Sequence, residues 1–178
     1  AQAEWEKAIV SNEAPRMTWE TIKPERVFAA HGTNFEQLSD GSSLASGNNT
    51  GKEIYEVVLH CNSADLTAIR LECLTHPSLP HNGPGRAFNS NFVLSEFTAT
   101  AAPLNGSNQP QSITFREAMA DYSQANFAIA MAIDGNPGTG WAVDGPSKKE
   151  NRAAVFVADK PFGFKEGTKL HVRMQFNY

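Results

Sequence analysis

The sequence has no apolar run approaching the ~20 residues that cross a bilayer as a helix, so it predicts no membrane span. Lysine and arginine never cluster beyond the Lys148-Lys149 pair, and the formal net charge is -4. A surface made to neutralise phosphates needs the opposite balance, which excludes nucleic acid as the expected partner. A densely sulfated glycan would need a local basic pocket that the sequence does not advertise, which leaves neutral or mildly acidic ligands. The nucleophile elbow, the phosphate loop, Cys-x-x-Cys and His-Glu-x-x-His are all missing, so the expected function is not enzymatic. Acidic pairs such as Asp121 with Asp134 or Asp144 could serve a glycosidase, but any acidic chain offers them. The N-terminal stretch lacks the charged-then-apolar layout of a signal peptide, and the chain reads as a mature or excised piece.

Cysteine is scarce. Cys61 and Cys73 lie in two strand-like runs, YEVVLHC and LTAIRLECL. If these runs form a hairpin about Asn62 to Asp65, a rise of ~3.3 Å per residue separates the two Cα atoms well beyond the ~7 Å that a disulfide tolerates. Two buried free thiols are expected.

What is present is apolar and aromatic material: 40% hydrophobic residues, with 11 Phe, 3 Trp and 3 Tyr in 178 positions, enough for one domain with a real core. Short runs rich in β-branched and aromatic residues recur, each closed by Gly, Pro, Asn, Asp or Ser. Strands are predicted near Thr18 to Ile22, Glu36 to Leu38, Glu53 to Cys61, Thr67 to Leu74, Phe92 to Ala101, Ser112 to Phe115, Ala153 to Ala158 and Lys169 to Phe176. Ile69, Leu71 and Cys73 alternate with Arg70 and Glu72, as in a sheet with one wet face. The helix-like pieces are Glu4 to Val10 and Phe115 to Tyr122, and residues 1–14 read as an extension packing on the domain. The expected fold is therefore an all-β jelly-roll β-sandwich spanning 1–178.

Three long connections carry the candidate sites: Gly41 to Lys52, Thr75 to Asn91 and Asp134 to Asn151. Asp40-Gly41 reads as a hairpin turn. In GPGRAFNSN, a Gly-Pro-Gly turn leads into Arg86, with His81, Asn82, Asn89 and Asn91 nearby. These groups can hydrogen-bond sugar hydroxyls or carboxylates; alternatively, Arg86 pairs with a structural carboxylate and the asparagines satisfy loop backbone. A sugar also needs an exposed ring, for which Trp141 is the candidate, with Tyr122 and Trp19 behind it; core packing is the alternative for each. Trp5 would staple the N-terminal segment. Asn48-Asn49-Thr50 and Asn105-Gly106-Ser107 match glycosylation acceptors. His31, His60, His76 and His171 are isolated and read as surface or core histidines.

The segment AIDGNPGTGW, Ala132 to Trp141, places Asp134, Asn136 and Thr139 within six residues on a glycine-loosened backbone, a composition that can wrap a hard cation. It resembles the A-x-D-G-x-x-x-T-x-W signature of discoidin-type carbohydrate-binding modules, which are galactose-binding-like β-sandwiches. That resemblance implies a structural calcium held by Asp134, Asn136 and Thr139, with Glu96 of Ser95-Glu96-Phe97 as the completing carboxylate. In those modules the glutamate strand follows the loop, whereas here it precedes it. The alternative is a plain Asp-Gly turn beside a core tryptophan.

A second resemblance spans nearly the whole chain. DGSSLASG, LTAIRLECL, HPSLPHNGPGRAFNSNFVLSEF, ADYSQ and IDGNPGTGWAVDG are together similar to a domain of large planctomycete-type surface proteins that also carry cytochrome c-like modules. It implies a secreted, periplasmic or cell-surface location and a parent protein with further domains. Two functions are expected from these readings. One is a calcium-stabilised carbohydrate-binding module that holds its parent on a polysaccharide or glycan through Trp141, Arg86, His81, Asn89 and Tyr122. The other is a structural module packing against neighbouring domains or subunits.

Overall fold

The computed structural model describes residues 18–105 and 109–178. The expected helix at Glu4 to Val10, Trp5, the 1–14 extension and part of the Asn105 acceptor lie outside these residues. Among the described residues the chain is all-β, with strands β1 (Arg26–Ala29), β2 (Thr33–Gln37), β3 (Ser43–Gly47), β4 (Glu53–Cys61), β5 (Leu66–Cys73), β6 (Val93–Leu94), β7 (Glu96–Pro103), β8 (Gln111–Ile113), β9 (Phe115–Ala120), β10 (Trp141–Ala142), β11 (Arg152–Phe162) and β12 (Thr168–Phe176). Two short 3-10 helices, Pro80–Asn82 and Ile129–Ala132, interrupt them.

The strands assemble antiparallel into a five-stranded sheet ordered β1-β4-β12-β7-β8 and a three-stranded sheet ordered β5-β11-β9, with the pairs β10-β6 and β2-β3 beside them. Alternation places the core. On β12, Leu170, Val172 and Met174 are buried while Lys169 is exposed, and on β7 Phe97, Ala99 and Ala101 are buried while Thr98 is exposed. The inner faces of the two larger sheets meet where Phe97 of β7 stacks on Phe156 of β11, ring centroids 3.7 Å apart and nearly coplanar. Phe115 of β9 packs on both rings at a tilt of 57°, with centroids 5.5 and 5.8 Å away. Each ring removed from water contributes about 1.5–3 kcal/mol. The arrangement is sandwich-like, as the run of short strands predicts.

Several elements differ from the sequence reading. Thr18 to Ile22 is irregular and the chain enters its first strand only at Arg26, after Pro24; Trp19 instead lies under the Arg70 guanidinium, 6.0 Å from its ring centre. The predicted strand at Glu36 to Leu38 is the end of β2. Its partner β3 lies inside the connection expected from Gly41 to Lys52. The turn between them does form at Asp40-Gly41: Leu38 N donates to Ser42 O at 2.8 Å, Gly41 takes φ +89°, and Asp40 accepts from the Ser42 amide and hydroxyl. Phe115 to Tyr122 is not helical. Pairing with β11 and burial of Phe115, Ala118 and Ala120 against the core impose an extended chain on residues of helical propensity.

The Glu53 and Leu66 strands do not form the considered hairpin. β4 belongs to the five-stranded sheet and β5 to the three-stranded one, so Asn62 to Asp65 crosses between layers. Both cysteines are free. Burial pushes the Cys73 thiol up to about 12, helped by the charges of Asp121 and Glu72, and burial likewise raises Cys61. The thiolate is the reactive form, so neither cysteine should react with a thiol reagent in the native protein at neutral pH. Both should react after unfolding in guanidinium, which a timed titration of thiols would register.

Candidate functional site

The segment from Leu79 to Phe92 meets the turn after Val143 so closely that neither Gly85 nor Gly145 has room for a side chain. A Cβ on Gly85 would lie 2.1 Å from Asn91 O, and one on Gly145 would lie 2.2 Å from the Ser90 carbonyl. Backbone therefore touches backbone where this loop meets the Asp144-Gly145 turn. Asn91 locks the contact: its carbonyl oxygen accepts from Val143 N at 3.2 Å and Gly145 N at 3.4 Å, and its amide donates to Gln124 Oε1 at 2.9 Å.

Arg86 is fixed from the other side. One guanidinium nitrogen donates to Thr33 Oγ1 at 2.6 Å and Tyr55 OH at 3.3 Å, and the other is shared among the carbonyls of Ser46, Gly47 and Asn48 at 2.9–3.0 Å. Asn49 Nδ2 returns a bond to Arg86 O at 2.8 Å. Thr33 in turn donates to Glu53 Oε2 at 2.9 Å. Glu53 is only 5% exposed and also accepts from the amides of His31, Thr33 and Ile54. Burial raises its pKa, but the hydrogen bonds from Ile54, Thr33 and His31 together outweigh burial and leave it below the ordinary carboxylate value. Arg86 thus reaches a structural carboxylate through a hydroxyl.

The turn between these anchors spans Ala87 to Ser90 and closes through Ser90 N to Ala87 O at 2.8 Å. Asn89 is a turn residue whose side chain accepts from Asn91 N at 3.2 Å. His81 and Asn82 are exposed and both take positive φ. Phe88 occupies the corner of the turn and is 86% exposed. Sequence reasoning missed Phe88. The available signal was an aromatic stranded in a Gly, Pro and Asn segment with no alternating apolar partner.

Trp141 and Tyr122 do not furnish the expected platform. Trp141 is fully buried, donates from Nε1 to Tyr122 O at 2.9 Å and meets Phe92 edge to face at 5.4 Å. A ring with no exposed face cannot stack on a sugar, and β10 pairing with β6 is what carries it inward. Tyr122 is half-buried beside two cations, with Arg152 at 5.0 Å and Lys148 at 5.7 Å from its ring centre, and its hydroxyl bonds Asp144 at 3.3 Å. Burial and then the Asp144 charge raise its pKa. Asp121 pairs with the buried Arg152, so the carboxylates considered as an acid-base pair serve separate partners.

The Asp134 loop forms a compact turn. Asp134 accepts from Asn136 N and the Thr139 hydroxyl at 2.8 Å each, and Asn136 Oδ1 accepts from Gly138 N at 3.0 Å. Asn136 and Thr139 therefore shape the turn with their own polar atoms. The C-terminal end clasps the loop through Asn177 Nδ2 to Pro137 O at 2.8 Å and Tyr178 OH to Gly138 O. Glu96, at the start of β7, is brought to this loop: burial raises its pKa first, the neighbouring Asp134 charge raises it further, and Gly135 N opposes both. Glu96 Oε1 is buried without a hydrogen-bond partner among the described residues. Glu96, with its unpartnered Oε1, and Asp134, whose oxygens accept from Asn136 N and Thr139 Oγ1, are the acidic groups here that could hold a hard, oxygen-seeking cation such as calcium. No third acidic, His or Cys side chain joins them among the described residues, so further ligands would be carbonyl or amide oxygens.

No family model, curated protein or solved structure matches the chain. The geometry above therefore carries the functional argument.

Proposed function

We propose that this chain is a non-catalytic jelly-roll module of a larger exported protein, and that it packs against a neighbouring domain or subunit through the rim that bears Phe88. The observation that carries this reading is an 86% exposed phenylalanine on a turn whose supports are bonded internally. Single exposed apolar residues are common, but a rigid one loses little entropy on docking and acts as a ready anchor. The side chains expected to hold a sugar at this rim support the same reading: Arg86 is committed to five internal acceptors and Trp141 is in the core. In the parent protein, Phe88→Asp should uncouple this domain, so that a single calorimetric unfolding transition splits into two. An unchanged transition would refute the rim as the docking surface. Retention of the chain on a neutral polysaccharide gel that Phe88→Ala abolishes would instead make this rim a sugar site, with the exposed His81 and Asn82 beside the ring.

Calcium belongs to the same proposal as a staple. Glu96 and Asp134 would hold the ion with oxygens of the Asp134–Thr139 turn, and the ion would supply charge neutralisation and fasten the loop to β7. At a hundredfold excess over Kd such binding adds about 2.7 kcal/mol, and each kcal/mol is worth about 2–4 °C at this size. Millimolar calcium should therefore raise the Tm by roughly 5–10 °C and magnesium much less. Glu96→Gln and Asp134→Asn should each remove the increment; a Tm indifferent to calcium would reject the site.

A further inference from the structure

The open edges of the two larger sheets are not equivalent. A strand edge presents unpaired amides and carbonyls to which another strand can add. In the five-stranded sheet β8 is only three residues long, and β1 has β2 packed beside it. In the three-stranded sheet the helical turn Ile129–Ala132 packs against β9. β5 has no such protection. It runs for eight residues without Pro or Gly, β11 is its only paired strand, and among the described residues no backbone hydrogen bond reaches its other side. Its apolar side chains show the same opening: Ile69 and Leu71 face the core but are only partly buried, whereas Phe156 and Ala154, opposite them on β11, are fully buried.

The residues of this edge select what can add to it. A two-fold axis normal to the sheet sets two copies of β5 antiparallel, with side chains of the same face opposite one another. Centred on Leu71, this pairing puts Arg70 opposite Glu72 of the second copy, and Glu72 opposite Arg70 of the second copy, on the outer face. On the inner face Leu71 meets Leu71 and Ile69 meets Cys73. Centring on Arg70 or on Glu72 instead sets like charges directly against each other, which is unfavourable. Arg70 and Glu72 are both exposed and lie 2.9 Å apart within one chain, so the two charges already stand side by side on the outer face. In the Leu71-centred pair each carboxylate lies between two guanidinium groups.

We infer that two copies of this chain associate through β5, joining their three-stranded sheets into one continuous sheet ordered β9-β11-β5-β5-β11-β9. Ile69–Cys73 is the stretch that faces itself in this register, a contact small enough for a dimer that forms only as concentration rises. The edge is a different surface from the Phe88 turn, which is anchored to the β2-β3 hairpin and to the Asp144-Gly145 turn. The inference does not rest on docking through Phe88, and the two can fail separately.

Sedimentation velocity over a concentration series tests it. The wild-type chain should pass from monomer to dimer as its concentration rises. Glu72→Arg, which sets an arginine opposite Arg70 of the second copy, should weaken the association at least tenfold, with little change in the melting temperature of the dilute protein because the position is exposed. Combining Arg70→Glu with Glu72→Arg restores opposite charges in the same register and should recover the dimer, and Phe88→Asp should leave it intact. A chain that stays monomeric at every concentration would overturn the inference. So would a dimer indifferent to Glu72→Arg. Failure of the charge swap to recover the dimer would overturn the Leu71-centred pairing, and a dimer dispersed by Phe88→Asp would move self-association to the Phe88 rim and overturn the assignment to β5.

Discussion

Replacing Trp141 by alanine is expected to lower the free energy of unfolding by about 3–5 kcal/mol. The ring is fully buried, packs edge to face on Phe92 and holds the Tyr122 carbonyl through Nε1. Its removal opens a void in the cluster that joins Leu94, Phe97, Val143 and Phe156, and leaves a polar backbone group without its donor. Trp141→Phe retains an aromatic ring but loses the bond, and should cost about 1–3 kcal/mol. Urea titration of both variants measures the difference. A sugar-stacking role would give the reverse pattern, with stability intact and glycan affinity lost; a Trp141→Ala protein that unfolds at the wild-type midpoint would contradict the buried placement.

The second large effect belongs to Glu53. Its carboxylate accepts from three backbone amides and the Thr33 hydroxyl, and through Thr33 it completes the clasp on Arg86. Glu53→Ala leaves these donors facing an apolar gap and should destabilise by about 3–4 kcal/mol, since each orphaned buried donor costs about 1–3 kcal/mol. The pH dependence follows from the sign of the shift. The folded pKa lies below the ordinary value of 4.5, so the stabilisation is present above about pH 4.5 and is lost as the pH falls through the folded value. Glu53→Gln should be less stable at neutral pH and should flatten the acid limb of the stability curve. Chemical denaturation between pH 3 and 7 checks both, and an acid limb identical to wild type would mean that Glu53 is not the group responsible.

Much of the architecture could be read locally. The alternation on LTAIRLEC, the apolar rhythm of β4 and β12 and the Asp40-Gly41 turn all have their cause within a few residues. The same holds for the Asp134 turn, where Asn136 and Thr139 find their partners inside the loop. Errors arose where distant partners decide. Phe115 to Ala120 is extended because β11 pairs with it, and β3 is a strand because β2 lies beside it.

The candidate site was less legible for the same reason. Arg86 carries no mark in its own segment that its guanidinium will meet carbonyls 38–40 positions earlier. Nor does AIDGNPGTGW disclose that its tryptophan turns inward onto Phe92 and Tyr122 while Phe88 is left outside. By itself the sequence determined an all-β chain, its alternating faces and its tight turns, because periodicity and turn chemistry act over neighbouring residues. Only the tertiary structure decided which polar groups are already matched and which remain available to a partner, because burial and hydrogen bonding of loop side chains depend on segments far away in the chain.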